Sequence, residues 1–367
     1  MFYFLSRDFK MLTSIICEKK IFLNLLHSKL SIIYFLLISS FLASLLSAEE
    51  LKKEVNVYSY RQPFLVKPLF DKFTSQTGIK VNVIFAQKGL LEKIKLEGQH
   101  SPADVLLTVD ITRLLESSQT IAQEVNSDVL IQHIPPAFRG QQNRWFGLTQ
   151  RARVAFVSNR LPEVTQLTYT ELADPKWQGK ICTRSGQHPY NLAMFAAYLT
   201  KHGEAATQEW LTGLKQNLAR KPSGNDRAQV RAVYAGECDI AIGNTYYMGA
   251  MVENDKNPEQ KDWAKSVHMV FPDNHTTGTH VNLSGMVMAR YAPNKDNGQK
   301  LMEFLVSKEA QKIYANLNYE YPVRADTLPS PLLQSWGILN PDTTHVADIA
   351  ANRTKASRLV DIVGYDR

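Results

Sequence analysis

Catalytic punctuation is what this chain lacks. No Gly-x-Ser-x-Gly elbow, His-Glu-x-x-His helix, paired-cysteine zinc motif or phosphate-cradling glycine loop occurs in its 367 residues. Those absences remove the common hydrolase, metalloprotease, zinc-module and nucleotide-binding signatures. There is no basic tract and no interleaving of aromatic with basic residues, which leaves little to hold a nucleic acid. Short repeats, low-complexity tracts and long linkers are missing too. Cysteine is scarce: Cys17, Cys182 and Cys238 are all there is. In an exported chain the last two form either one disulfide or two buried thiols.

What is present describes a globular protein with a leader. Hydrophobic residues make up 44% and charged residues 21%, so the chain can bury cores and is not disordered. Its length suits two domains. Lys29 precedes an apolar run from Leu30 to Leu46, and Ser47-Ala48-Glu49-Glu50 follows. A basic flank, an apolar segment and a small residue before an acidic start predict an export signal over residues 1–48. A permanent membrane anchor is the competing reading of the same run. No cysteine closes the run, which argues against a lipoprotein. Cleavage after Ala48 removes five basic and two acidic residues, lowering the net charge from +7 to +4.

Beyond the leader a strand–helix rhythm sets in. Glu54–Tyr60, Lys80–Phe85 and Ala103–Thr108 read as strands, and helical spacing follows each of them. This alternation predicts an α/β protein with a mainly parallel sheet flanked by helices. Ligands collect at the carboxyl ends of such strands, here Tyr58–Arg61 and Thr108–Asp110. Trp145–Val157 is one long strand-like stretch, suited to crossing between two lobes. The rhythm then restarts, with strands at Lys180–Arg184 and Cys238–Ile242 and a helix opening near Tyr190. His280–Met288 is a returning strand, and 354–364 a terminal helix.

The stretch Ile240–Gly249 ends its apolar run at Gly243, continues with the capping pair Asn244-Thr245, and opens a helix on Tyr246 and Tyr247. Taken alone, such a pair reads as packing. An echo elsewhere raises its standing: Cys182 lies eight residues before Tyr190, and Cys238 eight before Tyr246. Two neighbouring strands would then present Tyr190, Tyr246 and Tyr247 at one edge. Phenols ionise near pH ~10, and a bound cation favours the phenolate. Three phenolates balance a trivalent hard cation, and Fe(III) is the obvious one. Open coordination positions then call for an anion, which Arg61 and Arg151, or Arg153, could grip by their planar forks.

Val55–Phe64, Ser101–Thr108, Trp145–Arg153, Cys182–Gly186, Gly243–Tyr247 and Gly278–His280 resemble the bacterial periplasmic ferric-ion-binding proteins. The resemblance implies a two-lobed, type II periplasmic binding protein, each lobe a mixed, mainly parallel sheet flanked by helices, with crossover hinge strands and no enzyme activity. It implies Tyr190, Tyr246 and Tyr247 as iron ligands, carbonate as synergistic anion, and Arg61 and Arg151 as its holders. The implied carrier is a periplasmic monomer that hands iron to the permease and ATPase of an inner-membrane ABC importer. The expected lobes are 49–150 with 276–325, and 151–275 with 326–367. Some members carry a His-Tyr pair after the first-strand arginine, where this chain has Gln62-Pro63. Two other readings remain: a same-fold binder of a polyamine, thiamine or phosphonate, and an exported hydrolase with unrecognised residues. His188 is expected in a solvent-facing loop, His275 and His280 at the hinge or surface. Asp104 and Asp110 are expected as strand-edge caps, and Asn225 as a turn residue.

Overall fold

A computed structural model describes residues 53–367. The expected export signal, with Cys17, lies outside them. Within the described residues no helix is long and apolar enough to cross a membrane.

The first half opens with β1 (Glu54–Ser59), α1 (Pro63–Thr77), β2 (Lys80–Phe85), α2 (Leu90–Glu97), β3 (Val105–Thr108) and α3 (Ile111–Thr120). Local chemistry sets these bounds. Pro63 occupies the first turn of α1, where its missing N–H costs nothing, and Gly78 ends that helix at φ 69°. Asp110 caps α3 by accepting from Arg113 N, and Asp104 accepts from Asn56 N at the head of β3. Both aspartates are caps, as their strand-end positions suggest. After α4 (Asp128–His133) comes β4 (Phe146–Ser158), every residue of which is buried.

β5 (Ile181–Cys182), α5 (Pro189–Gln216), α6 (Asp226–Tyr234), β6 (Ile240–Asn244), α7 (Tyr246–Val252), α8 (Glu259–Lys265) and β7 (Val267–Val270) build the middle of the chain. β8 (Val281–Met288), α9 (Lys295–Leu305), α10 (Lys308–Asn318) and β9 (Tyr321–Pro322) return, and α11 (Pro331–Ser335), α12 (Val346–Ala351) and α13 (Arg353–Val363) finish it.

Nine strands run in the order β2-β1-β3-β8-β4-β6-β5, with β7 and β9 also paired to β4. β1–β3 and β5–β6 are parallel, while β8 and β4 pair antiparallel with all their partners. The sheet is therefore mixed, and its parallel character belongs to the outer pairs. Phe146–Ala152 of β4 pairs with β8, and Arg153–Ser158 with β6 and β7. One strand thus serves two half-sheets, as its length in the sequence predicts. The fold is the two-lobed α/β arrangement of the type II binding proteins.

Several expected bounds move. The strand expected at Lys180–Arg184 shrinks to two residues, while α5 is two helical segments that meet at Gly203, φ 81°, as a helix from Tyr190 to His202 and another from about Gly203 to Asn217 predict. One apolar cluster takes in β1, β3, β8 and α1; the other gathers around α5 and α13, where Phe195 meets Trp210 and Tyr365 at 5.6 and 5.5 Å.

Candidate metal centre

β5 and β6 lie side by side, parallel, with Cys182 opposite Ala241. A disulfide joins Cys182 to Cys238, which decides between the two readings of those cysteines. Each strand then releases its chain into a junction that ends on a tyrosine. After β5 the loop closes at His188, whose Nδ1 accepts from Tyr190 N at 3.2 Å and caps α5. Its ring stands edge-on to Tyr190 at 4.6 Å. His188 is half-buried and not the solvent-facing residue expected; burial and the Arg184 charge lower its pKa to about 4.

The second junction is tighter than the sequence suggests. β6 continues through Gly243 and Asn244, leaving Thr245 alone to turn the chain, with its N–H bonded to Ala152 O at 3.1 Å. Asn244 and Thr245 do not cap α7 with their side chains. Gly243 must be glycine because a Cβ there would stand 2.5 Å from the Phe156 ring. Tyr246 and Tyr247 occupy the first turn of α7, stacked at 4.4 Å.

Tyr246 donates its hydroxyl to that of Tyr190 at 3.1 Å. The two equivalent junctions thus bring their phenols into contact, and Tyr247 is held beside them. All three are half-buried. Burial, then the Tyr190 and Tyr247 oxygens, pushes Tyr246 well above its ordinary pKa, while Arg151 pulls the other way. Tyr247 is raised by burial and by Asp226.

Behind the phenols lie two buried arginine–carboxylate sets. Asp226 bridges Arg153 at 2.7 Å and Arg184 at 3.0 Å, and accepts from Asn244 N at 2.9 Å. Arg153 also donates to Asn244 Oδ1 and Asn191 Oδ1. Arg184 sits 5.1 Å from the centre of the Tyr190 ring, and Arg227 5.5 Å from that of Tyr247. In the second set Glu320 takes both ends of the Arg61 fork at 3.0 Å and lies 4.0 Å from Arg151. Arg151 reaches Ser284 Oγ at 3.0 Å and Val109 O. Burial alone would push Glu320 up, but Arg61 and Arg151 hold it below the ordinary carboxylate range.

Both arginines named as anion holders are thus buried beside the site, though the Arg61 fork is engaged by Glu320 in this conformation. In these two sets four guanidiniums face two carboxylates, leaving an excess of two positive charges. Such a field suits phenolates and anions. Asp226 and Glu320 were not singled out from the sequence. Asp226 hides next to the capping Asn225, which accepts from Ala228 N, and nothing around Glu320 marks it. His280 is buried, not exposed, its pKa lowered to about 4 chiefly by burial. No group of three or more His, Cys, Asp or Glu able to hold a metal occurs among the described residues.

Residues 68–341 match the family described as bacterial extracellular solute-binding protein. The chain belongs to this family. Its members bind and carry solutes, and the chain is no enzyme. Iron uptake protein A1 of Synechocystis sp. is 42% identical over 317 residues, covering 86% of this chain and 88% of that protein. Among solved structures, a Bordetella ferric binding protein superposes with TM-score 0.83 at 46% identity, over 86% of this chain and all of that one. A Trichodesmium relative in complex with iron and citrate ligands gives TM-score 0.81 at 40% identity, over 85% of this chain and 99% of that one.

Proposed function

We propose that this protein captures Fe(III) through the phenolates of Tyr190, Tyr246 and Tyr247, in a cleft between two lobes. The hydroxyl contact between Tyr190 and Tyr246, brought together by two matched strand–loop–helix junctions, carries this reading. The surplus of guanidinium charge behind the phenols supports it, since phenolate formation needs a positive surround. Relatives named for iron uptake and ferric binding support it from another side. The lobes in this reading are 49–150 with 276–325, and 151–275 with 326–367. The division of β4 between two half-sheets at Ala152 and Arg153 supports that boundary.

An anion completes the coordination, with the spare charge of the Arg61–Arg151–Glu320 set as its attraction. Carbonate fits a single arginine fork. Citrate is the other candidate, because the Trichodesmium relative holds it with iron. The loaded carrier, released from its signal peptide into the periplasm as a monomer, delivers iron to the permease and ATPase of an ABC importer.

Titration with ferric ion, with bicarbonate or citrate and with neither, tests the whole reading. A visible phenolate-to-iron band should saturate at one equivalent, and an anion should tighten the binding. Tyr190→Phe, Tyr246→Phe and Tyr247→Phe should each weaken iron binding by at least about a hundredfold, more than an outer-shell change costs. Tyr234→Phe, at an exposed position, is the matched control. Tyr169 would be a poor one: its hydroxyl donates to Arg153 O and accepts from His280 N. No band at stoichiometric iron would sink the proposal.

A further inference from the structure

Tyr319 sits where a glycine is expected. It closes α10 as the C-cap in the left-handed conformation, φ 53° and ψ 37°, with its N–H bonded to Ala315 O at 3.1 Å. Glycine or asparagine usually fills such a position, because a larger side chain is strained there. Among the described residues three other non-glycine residues take positive φ, Gln142, Asn143 and Asp273, and none of them is aromatic. A bulky ring kept in that conformation needs a contact that offsets the strain.

That contact is with α7. The Tyr319 ring lies over Gly249, where a Cβ would stand 2.3 Å from it, and its hydroxyl donates to Glu253 Oε2 at 2.6 Å. Tyr246, Gly249 and Glu253 follow one another at helical spacing, which places them along one face of α7. The helix that opens on the phenols is thus gripped along the face that Tyr246 shares. α7 itself hangs from β6, which pairs with the second half of β4. α10 belongs with the first half: Gln311 donates to Leu148 O of β4, and Glu309 pairs with Lys72 of α1 at 2.8 Å. Glu320, the residue after Tyr319, holds the Arg61 fork. Tyr319 therefore ties the phenol-bearing helix to the half of the molecule that carries Arg61 and Arg151.

We propose that Tyr319 is a positioning residue of the iron site: it docks α7, and with it Tyr246 and Tyr247, against the arginine-bearing half, and so slows the loss of bound iron. This role rests on the ferric reading above. A contact shifts the balance between two arrangements only when it is made in one and absent in the other. Here the ring must leave Gly249, and the hydroxyl Glu253, before the phenols part from the arginines. The contact therefore acts on release and not on capture.

Mixing iron-loaded protein with excess EDTA, and following decay of the phenolate-to-iron band, tests this. Tyr319→Gly should release iron more than about tenfold faster, and Tyr319→Phe, which keeps the ring, about fivefold faster. Capture rates should stay within about twofold of the parent's. Glycine suits the left-handed position, so Tyr319→Gly should still fold, and a purely local backbone role would leave release unchanged. Gly249→Ala should speed release in the parent, where the new Cβ meets the ring, and add nothing in Tyr319→Gly. In the iron-free protein, amide exchange over 248–253 should quicken in Tyr319→Gly, reading the docking without the metal. Release at the parent's rate from folded Tyr319→Gly, or a Gly249→Ala effect undiminished once the ring is gone, overturns this role while the ferric reading stands. A parent without the band overturns both.

Discussion

Tyr246 and Tyr247 illustrate how a residue's chemistry is set by its neighbours. In the iron-free protein burial keeps both phenols neutral beyond their ordinary range, with Asp226 adding to the effect at Tyr247. Binding Fe(III) as phenolate must release those protons. As pH falls, protons compete better and iron is lost; as it rises, the phenolates form more readily. With one proton released from each of the three phenols, the apparent affinity should change on the order of a thousandfold per pH unit. Measuring the band-titration midpoint between pH 5.5 and 7.5, with citrate held constant, checks this. A slope near zero would mean that the phenols are not ligands. The phenols themselves were legible from the sequence, because adjacent tyrosines after a glycine and an equivalent tyrosine elsewhere form a pattern. The carboxylates that organise the arginines were not. Asp226 bonds arginines 42 and 73 residues away and Glu320 one 259 residues away, and no local spacing announces such a distance.

At the scale of elements the site is two short strands and the turns that leave them. β5 and β6 share only two backbone pairings, Ile181 with Ile240 and Cys182 with Ala241. So brief a ladder is a weak register, and the Cys182–Cys238 bond fixes it. Closing a loop of 56 residues restricts the unfolded chain by about 4 kcal/mol on the chain-entropy estimate. The double variant Cys182→Ala/Cys238→Ala should therefore unfold at lower urea, by up to that amount. It should also bind iron more weakly than the parent, since the two junctions gain freedom to separate Tyr190 from Tyr246. Urea unfolding and iron titration on the same preparation give both numbers. A loss of stability with unchanged iron affinity would make the bond structural alone. From the sequence the eight-residue echo located both junctions, yet it gave β5 too many residues and placed the second turn one or two residues early. Strand ends depend on what pairs beside them, and β5 has only β6 and one bridge to Leu218.

The whole molecule hangs on β4. Its first half belongs to one half-sheet and its second half to the other, and β8 crosses back beside it. The long strand-like stretch from Trp145 to Val157 made that crossing legible, because few strands of an ordinary sheet need so many residues. The antiparallel centre was not legible, since the strand–helix rhythm describes neighbours in sequence and β8 is inserted from far downstream. Contacts outside the sheet tie distant parts of the chain together as well. Tyr319 donates to Glu253 Oε2 at 2.6 Å and packs its ring on Gly249, where a Cβ would stand 2.3 Å away. Arg353 at the head of α13 donates to Thr112 of α3. An ion held in the cleft should stabilise this assembly as a unit. Ferric ion free at 100 times its dissociation constant should add about 2.7 kcal/mol, raising the melting temperature in one transition. Calorimetry with iron and citrate against citrate alone checks it, and an unmoved transition would count against a folded-state iron site.

The disulfide has a consequence in time as well as in space. Such a bond forms and persists only where thiols are oxidised. A chain kept in a reducing compartment holds Cys182 and Cys238 as free thiols, and its two tyrosine junctions are then joined without any covalent link, by the two-residue ladder and the Asp226–Arg153–Arg184 bonds. The covalent link between the two junctions is therefore added last, and only in an oxidising compartment.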